Sequence, residues 1–167
     1  PVAGKIIIID PGHATIKGTV VDSGAVGQNG TRERDITLAI GKKVEALLLN
    51  LGADVRMTRS TESTYLTLEE RAWMANASNA DLFISIHCNA ATNRSAQGTS
   101  TYFYAPAGGA FDRDERQTLA KVLQQAMLDA CGRPNRGILE ERFVVLRETE
   151  MPSVLLETAF ISNAEEE

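Results

Sequence analysis

Four consecutive isoleucines stand near the start of the chain, between Lys5 and Asp10. Gly4 lies before this run and Pro11-Gly12 follows it, so turn residues bound a short β-branched segment. A strand with apolar side chains on both faces has to be covered on both sides, as the strands of parallel sheets are. The run therefore predicts a buried central strand.

Helical and strand patterns alternate along the rest of the chain. Apolar residues recur at helical spacing from Ile36 to Leu51 and again from Leu119 to Ala130, and Gly52 and Gly132 follow these segments. A capping box, Thr67 with Glu70, predicts a further helix to about Asn79. Strands are predicted at residues 53–58, 81–87, 100–104 (more exposed), 142–146 and 153–157. We expect one α/β domain, a largely parallel twisted sheet of about six strands with helices on both faces.

Composition excludes several classes of protein. With 167 residues and 43% hydrophobic content, the chain has the size of one domain with its own core. Its net charge of −5 argues against binding to nucleic acid, and no apolar run approaches the about 18 residues of a membrane span. Two cysteines, Cys88 and Cys131, are too few for an all-cysteine zinc site or a disulfide framework.

Polar residues terminate the predicted buried strands. Asp10 and then His13 follow the isoleucine run, His87 ends the second buried strand, and Glu157 ends the last. Ligands of open α/β sheets bind outside the carboxyl ends of the strands. Both histidines of the chain therefore fall where a ligand site is expected.

Glu33 joins this group because its spacing from Ile36 and Ile40 places it on the inward face of its helix. A buried carboxylate needs a partner, and a cation would satisfy it. Two imidazoles, one carboxylate and an open position are typical of a catalytic zinc site. Each residue also has a simpler interpretation: a hydrogen-bonded histidine, a solvated first-turn acid, or, for Asp10, a turn former.

Two further features are interpreted as structural. The glycines Gly24, Gly27 and Gly30 lack the spacing of a phosphate-binding loop and predict a flexible loop. Cys88 follows His87 on a strand, so its side chain should point to the opposite face and pack in the core.

Five motifs in order resemble those of zinc-dependent N-acetylmuramoyl-L-alanine amidases, which cut bacterial peptidoglycan. They are Ile-Ile-Asp-Pro-Gly-His (8–13), Arg-Glu-Arg-Asp (32–35), Ser-Ile-His-Cys-Asn-Ala (85–90), Val-Leu-Arg (145–147) and Leu-Glu-Thr-Ala-Phe-Ile-Ser-Asn (156–163). The resemblance implies one Zn²⁺ per chain, held by His13, Glu33 and His87. It also implies that Glu157 is the catalytic carboxylate, which takes a proton from the attacking water and returns it to the leaving amine.

The resemblance also suggests lesser roles and a setting. Asp10 is a candidate to orient a metal-binding histidine, and Arg147 a candidate to contact a substrate carboxylate, with a turn and a surface ion pair as the alternatives. We expect an extracytoplasmic, secreted or wall-associated monomer that acts on peptidoglycan, with any wall-targeting domain outside this segment. A zinc peptidase of stem peptides and a non-catalytic wall-binding module are the rival functions.

The sequence departs from the family pattern in two places: residues 14–21 lengthen the loop after the first histidine, and Thr158-Ala159-Phe160 stands where Leu-Gly-Phe is common. Residues 90–100 are too few for the autoinhibitory helical insertion of some relatives, so an accessible site is expected.

Ser162 followed by Glu165 forms another capping box. It predicts a helix that the sequence cuts short at Glu167, with a coincidental spacing as the alternative.

Overall fold

The computed structural model describes residues 1–17, 20–108 and 112–167. Within these ranges the chain forms eight strands and four helices. The strands are β1 (Ile6–Pro11), β2 (Ala14–Lys17), β3 (Val20–Asp22), β4 (Asp54–Met57), β5 (Leu82–Asn89), β6 (Thr99–Phe103), β7 (Asn135–Glu140) and β8 (Ser153–Phe160). The helices are α1 (Glu33–Asn50), α2 (Leu68–Ala77), α3 (Arg113–Cys131) and α4 (Val144–Arg147).

Six of the strands form one sheet, in the order β4-β1-β5-β8-β6-β7. Neighbouring strands run parallel except β6 and β8, which are antiparallel. The isoleucine run lies in β1 between β4 and β5, as its composition predicts. The carboxyl ends of β1, β5 and β8 therefore meet at one edge of the sheet.

The core lies on both faces of the sheet, so the predicted fold class is confirmed. Ile7 and Ile9 point to the face covered by α1 and α3, whereas Ile8 points to the face covered by α2 and α4. All three isoleucines are fully buried, and each such side chain contributes about 1.5–3 kcal/mol of burial free energy. None of the described helices is long and apolar enough to cross a membrane.

Two parts of the strand prediction were wrong. Residues 144–147 form the short helix α4 instead of a strand, and the place beside β6 is taken by β7, which the sequence pattern does not indicate. A short apolar run fits a helix as well as a strand, and here Val145 and Leu146 pack on the core from outside the sheet. The strand predicted to be more exposed, β6, is mostly buried.

The predicted helices occur, with shifted boundaries or faces. The Thr67–Glu70 capping box of α2 is formed, and Gly132 ends α3 in the left-handed conformation with φ 61°. In α1, Leu47 and Leu51 are exposed, and Leu48 packs on the core instead. The buried residues of α1 are Glu33, Arg34, Thr37, Leu38 and Gly41, so the buried face of the helix is rotated away from the predicted stripe and from Leu47.

A buried arginine of α3 ties that helix to the segment that includes α4. The guanidinium of Arg116 donates hydrogen bonds to Ser153 Oγ and to the carbonyls of Tyr104, Leu146, Thr149 and Met151. An arginine has five N–H donors and can satisfy several loop carbonyls that burial would otherwise leave unpaired. This contact fixes where α4 lies relative to the sheet.

The chain ends in turns over residues 161–167. Ser162 Oγ accepts a hydrogen bond from the Ala91 amide, and the Glu165 amide donates to Asn163 Oδ1, so these two contacts differ from those of a capping box. Residues 161–167 form no helix, and the helix that the Ser162–Glu165 spacing predicts stays a prediction.

Candidate metal centre

The residues singled out at the strand ends lie at one edge of the sheet. His13 directly follows β1, separated from it only by Gly12, and His87 lies near the end of β5. Glu157 lies in β8, paired in register with His87. Glu33 is the first residue of α1, and that helix starts over the same edge.

The Glu33 carboxylate lies between the two imidazoles. Its Oε1 is 3.0 Å from His13 Nε2 and 3.1 Å from His87 Nδ1, and the two rings meet edge to face with centroids 4.7 Å apart. The backbone amides of Cys88 and Ala25 donate to Oε1 and Oε2, each at 2.9 Å. Only 4% of Glu33 is exposed, so these contacts replace water around a buried charge.

These contacts determine the protonation of Glu33 and His13. Burial by itself raises the pKa of Glu33, but hydrogen bonds and charge interactions with His13 and His87 hold that pKa well below its usual range. For His13, burial lowers the pKa, and the carboxylates of Glu33 and Asp22 outweigh it, so the net shift is upward. Glu33 is therefore an ionised carboxylate aimed at two imidazole nitrogens.

The donor set fits a divalent metal. One nitrogen of each histidine and one carboxylate oxygen of Glu33 lie within 4.8 Å of one another. Two imidazoles and one carboxylate, with a side open to solvent, are the ligands that catalytic zinc sites use. A cation would bind between these atoms by replacing the contacts they now make with each other.

His13 is oriented by Asp22, a residue that the sequence interpretation did not select. Asp22 Oδ1 lies 2.7 Å from His13 Nδ1, which leaves Nε2 to face Glu33. Asp22 reaches this position because β2 and β3 form an antiparallel pair in which Asp22 is opposite Ala14. A carboxylate on the second ring nitrogen fixes the tautomer and orientation of a metal-binding histidine. No local sequence pattern indicates the pairing of β2 with β3, which brings Asp22 to His13.

Asp10, the residue proposed for that role, makes its hydrogen bonds elsewhere. Its oxygens accept from Thr58 Oγ1 at 2.6 Å, Ser85 Oγ at 2.7 Å and Arg71 Nη1 at 3.0 Å. Burial raises the pKa of Asp10, but these partners and the Arg71 charge hold it below its usual value. Asp10 is thus a buried anion that contacts neither histidine by a hydrogen bond in the described residues. The carboxylate next to His13 is that of Asp22.

Two glycines let the imidazoles pack against the backbone. A Cβ on Gly12 would lie 2.4 Å from His87 Nε2, and a Cβ on Gly24 would lie 2.6 Å from both Glu33 Oε2 and His13 Cδ2. Both distances are far below van der Waals contact. The glycine-rich loop therefore covers part of the metal centre, through Gly24.

Glu157 faces the same cleft with an unpaired oxygen. Its Oε2 is buried and has no hydrogen-bond partner among the described residues. Burial, together with the nearby negative charge of Glu33, raises the pKa of Glu157 to about 8. A carboxyl group of this kind is available to exchange a proton with a molecule in the cleft.

The cleft has a volume of about 630 Å³. Besides His13, His87 and Glu157, it is lined by apolar and aromatic side chains of the segment before α2 and of the segment at α4: Tyr65, Leu66, Leu68, Phe143, Val144 and Val145. Arg142 also lines the cleft, and no carboxylate pairs with it in residues 1–17, 20–108 and 112–167. Arg147, a candidate substrate contact, instead makes the surface ion pair that was its alternative, with Glu148 at 2.5 Å, and is not among the lining residues.

A buried glutamate between two partly exposed histidines that open onto a cleft, beside an unpaired carboxyl group, is typical of metal-dependent hydrolases. The sequence profile of the N-acetylmuramoyl-L-alanine amidases matches residues 7–167. The chain belongs to this family, as its five motifs indicated.

Relatives of established name support this assignment. The chain is 39% identical to N-acetylmuramoyl-L-alanine amidase LytC of Bacillus subtilis, over 98% of this chain and 31% of LytC. It is 33% identical to amidase AmiA of Escherichia coli, over 98% of this chain and 68% of AmiA. The chain thus spans about a third of LytC and two thirds of AmiA.

A solved structure agrees with the fold. The catalytic domain of the amidase CwlV from Bacillus (Paenibacillus) polymyxa var. colistinus matches with a TM-score of 0.85 and 36% identity, over 97% of this chain and 84% of that one. The single α/β domain with its mostly parallel, mixed sheet is therefore the fold of an amidase catalytic domain.

Gly12→Ala should weaken binding of a divalent metal by at least about tenfold, because the new methyl group would displace the His87 ring. Metal affinity measured by competition with a chelator tests this. Gly30→Ala is the control: its φ of +88° strains the backbone, but its Cβ would meet open space. We expect it to lose stability and keep its metal affinity; equal affinities in both variants would contradict the close packing of His87 on Gly12.

Proposed function

We propose that this chain is the catalytic domain of a zinc-dependent amidase, which hydrolyses the amide bond between the lactyl group of N-acetylmuramic acid and L-alanine in peptidoglycan. The observation that carries the proposal is the Glu33 carboxylate buried between His13 and His87, beside the unpaired Glu157. Membership of the amidase family supplies the reaction.

His13, Glu33 and His87 would hold one Zn²⁺. When bound, the metal would supply a Lewis acid for the amide carbonyl and would lower the pKa of water in the site towards neutrality. Asp22 keeps His13 in the tautomer with Nε2 free, and the amides of Ala25 and Cys88 keep Glu33 in place. The chain thereby presents its ligands in a fixed arrangement.

Glu157 acts as the acid–base residue. Its Oε2 has no hydrogen-bond partner in the described part of the molecule. With a pKa of about 8, the ionised form that accepts a proton from the attacking water becomes more abundant as the pH rises through neutrality. It then returns that proton to the nitrogen of the leaving L-alanine. General acid–base catalysis of this kind contributes about 10²–10⁴-fold to the rate.

The cleft suits a peptide that carries carboxylates. Its two walls are largely apolar, with the aromatic rings of Tyr65 and Phe143, whereas Arg142 lies on it without an anionic partner in the described ranges. The peptide stems of peptidoglycan carry free carboxylates close to the scissile bond. Arg142 is positioned to bind one, the role that the sequence interpretation gave to Arg147.

Cell-wall names among the relatives support an extracytoplasmic site of action. A probable cell wall amidase, LytH of Staphylococcus epidermidis, is 36% identical over all of this chain and 52% of its own length. We therefore propose that peptidoglycan is the partner of this domain and that it acts outside the cytoplasm as a monomer.

Mass spectrometry of digested peptidoglycan tests the reaction itself. Purified peptidoglycan is incubated with the protein, with and without a zinc chelator, and the products are identified. An amidase releases peptides with a free L-alanine amino group and leaves intact glycan, and the chelator should abolish this release. Cleaved cross-links with stems still attached to glycan would instead indicate a peptidase, and binding without any product would indicate a wall-binding module.

Glu157→Gln should retain zinc and lower the hydrolysis rate by about 10²–10⁴-fold, because the amide cannot carry the proton. Metal content and initial rates on the same preparation test this. Glu115→Gln is the control, since Glu115 is an exposed residue of α3. Near-normal hydrolysis by the Glu157 variant would remove this residue from the mechanism.

Arg142→Gln should raise KM for soluble stem-bearing fragments about three- to tenfold with little change in kcat, because a charged hydrogen bond to the bound peptide is lost. Arg147→Gln is the matched control and should leave KM unchanged, since Arg147 pairs with Glu148. A rise in KM for Arg147→Gln alone would contradict this proposal and would support Arg147 as the residue that contacts the substrate carboxylate.

A further inference from the structure

His13 has a backbone conformation that a residue with a side chain rarely adopts. Its φ is +61°, in the left-handed region that glycine normally occupies. This conformation is less favourable than the right-handed one for a residue with a Cβ, and it persists where the surroundings enforce it. The contacts of the loop Pro11–Gly12–His13 show what enforces it.

Two arginines bond to all three carbonyls of this loop. Arg59 donates from Nε to the Pro11 carbonyl and from Nη2 to the Gly12 carbonyl, each at 3.0 Å. Arg71 donates from Nη1 to the Pro11 carbonyl and from Nη2 to the His13 carbonyl, each at 3.3 Å. Both guanidinium groups thus hydrogen-bond to the backbone segment that includes His13.

Burial and further hydrogen bonds restrict the side chains of both arginines. Arg59 and Arg71 are only 3% and 2% exposed. Arg71 is also held by Asp10 Oδ1 at 3.0 Å and by the Leu66 carbonyl at 3.2 Å. Arg59 also donates to the Arg34 carbonyl at 2.7 Å, in the first turn of α1 next to Glu33.

The same groups connect two of the metal ligands. Arg59 bridges the loop of His13 to the start of α1, where Glu33 lies, and Thr37 Oγ1 of that helix donates to the Gly12 carbonyl at 2.7 Å. Arg71 bridges the loop to α2 and to Asp10 at the end of β1. Movement of either guanidinium would move His13 relative to Glu33.

We propose that Arg59 and Arg71 are positioning residues for the metal centre: they hold the loop at 11–13 so that His13 keeps its left-handed backbone and its ring reaches the metal. The inference rests on the proposed function in that His13 binds zinc. Neither arginine is proposed to touch the metal. Arginine is required because its planar fork reaches two carbonyls at once, whereas the ammonium group of lysine is a single point of contact.

The experiment compares Arg71→Lys and Arg59→Lys with Arg116→Lys as a matched control. Arg116 is equally buried and also bonds to loop carbonyls, but those carbonyls belong to the segments before α3 and around α4. All three variants keep the positive charge and lose part of a buried hydrogen-bond network. Only the first two change the loop of His13.

Each purified apo-protein is titrated with Zn²⁺ against a chromogenic chelator, and its unfolding by urea is followed with and without Zn²⁺. We expect Arg71→Lys and Arg59→Lys to bind Zn²⁺ about 10–100-fold more weakly than the unsubstituted chain, and to gain less stability from it. Arg116→Lys should lose stability in the absence of metal but keep its zinc affinity within about twofold, because the carbonyls of Tyr104, Leu146, Thr149 and Met151 belong to segments that carry no metal ligand.

Normal zinc affinity in folded Arg71→Lys and Arg59→Lys would overturn the inference. An equal loss of affinity in Arg116→Lys would also overturn it, because a general loss of stability would then explain the effect. If Arg71→Lys does not fold, Arg59→Lys decides by the same criterion, since it leaves the bond to the His13 carbonyl intact. If the unsubstituted chain does not bind Zn²⁺, the proposed function fails at its metal, which is a separate result.

Discussion

The buried carboxylate of Glu33 is the constraint on which the site depends. An ionised carboxylate that loses water needs compensating partners, and removing a partner from a buried ion pair costs about 3–5 kcal/mol. Here two imidazoles and two backbone amides supply them. Because those partners come from different parts of the chain, the carboxylate draws β1, β5, the glycine-rich loop and the start of α1 together at one point.

A layer of buried polar residues next to the metal centre supports the metal-binding residues. This layer consists of the buried residues Asp10, Arg59 and Arg71. Arg71 donates to Asp10, and both arginines donate to backbone carbonyls of the loop that carries His13. Burial, and the charge of Arg71, lower the pKa of Arg59 to about 10, so the charged form of Arg59 is less favourable here than in water. The apolar core of β1, β5 and β8 offsets that cost and keeps a rigid frame for the strained loop.

Most of the fold and the principal site residues were predictable because they follow from local patterns. The isoleucine run, the Thr67–Glu70 box and the glycines after α1 and α3 define elements through period and capping alone. His13, His87 and Glu157 could be selected because parallel strands share an edge for their carboxyl ends. The segment at 142–146 was misassigned, since a short apolar run carries no period long enough to separate helix from strand. Asp22, Arg142, Arg59 and Arg71 were missed or left unassigned, since their roles depend on contacts between distant segments.

The sequence by itself determined which groups could do chemistry: with only two histidines in the chain, a three-ligand metal site has to recruit a carboxylate, and helical phase points to Glu33. Tertiary structure decided how those groups are held. Pairing of β2 with β3 brings Asp22 to His13, and α4 is placed by Arg116 so that Arg142 reaches the cleft while Arg147 turns to Glu148. The physical reason is range: periodicity and capping act within a few residues, whereas hydrogen bonds between buried groups join residues whose proximity exists only after the chain has packed.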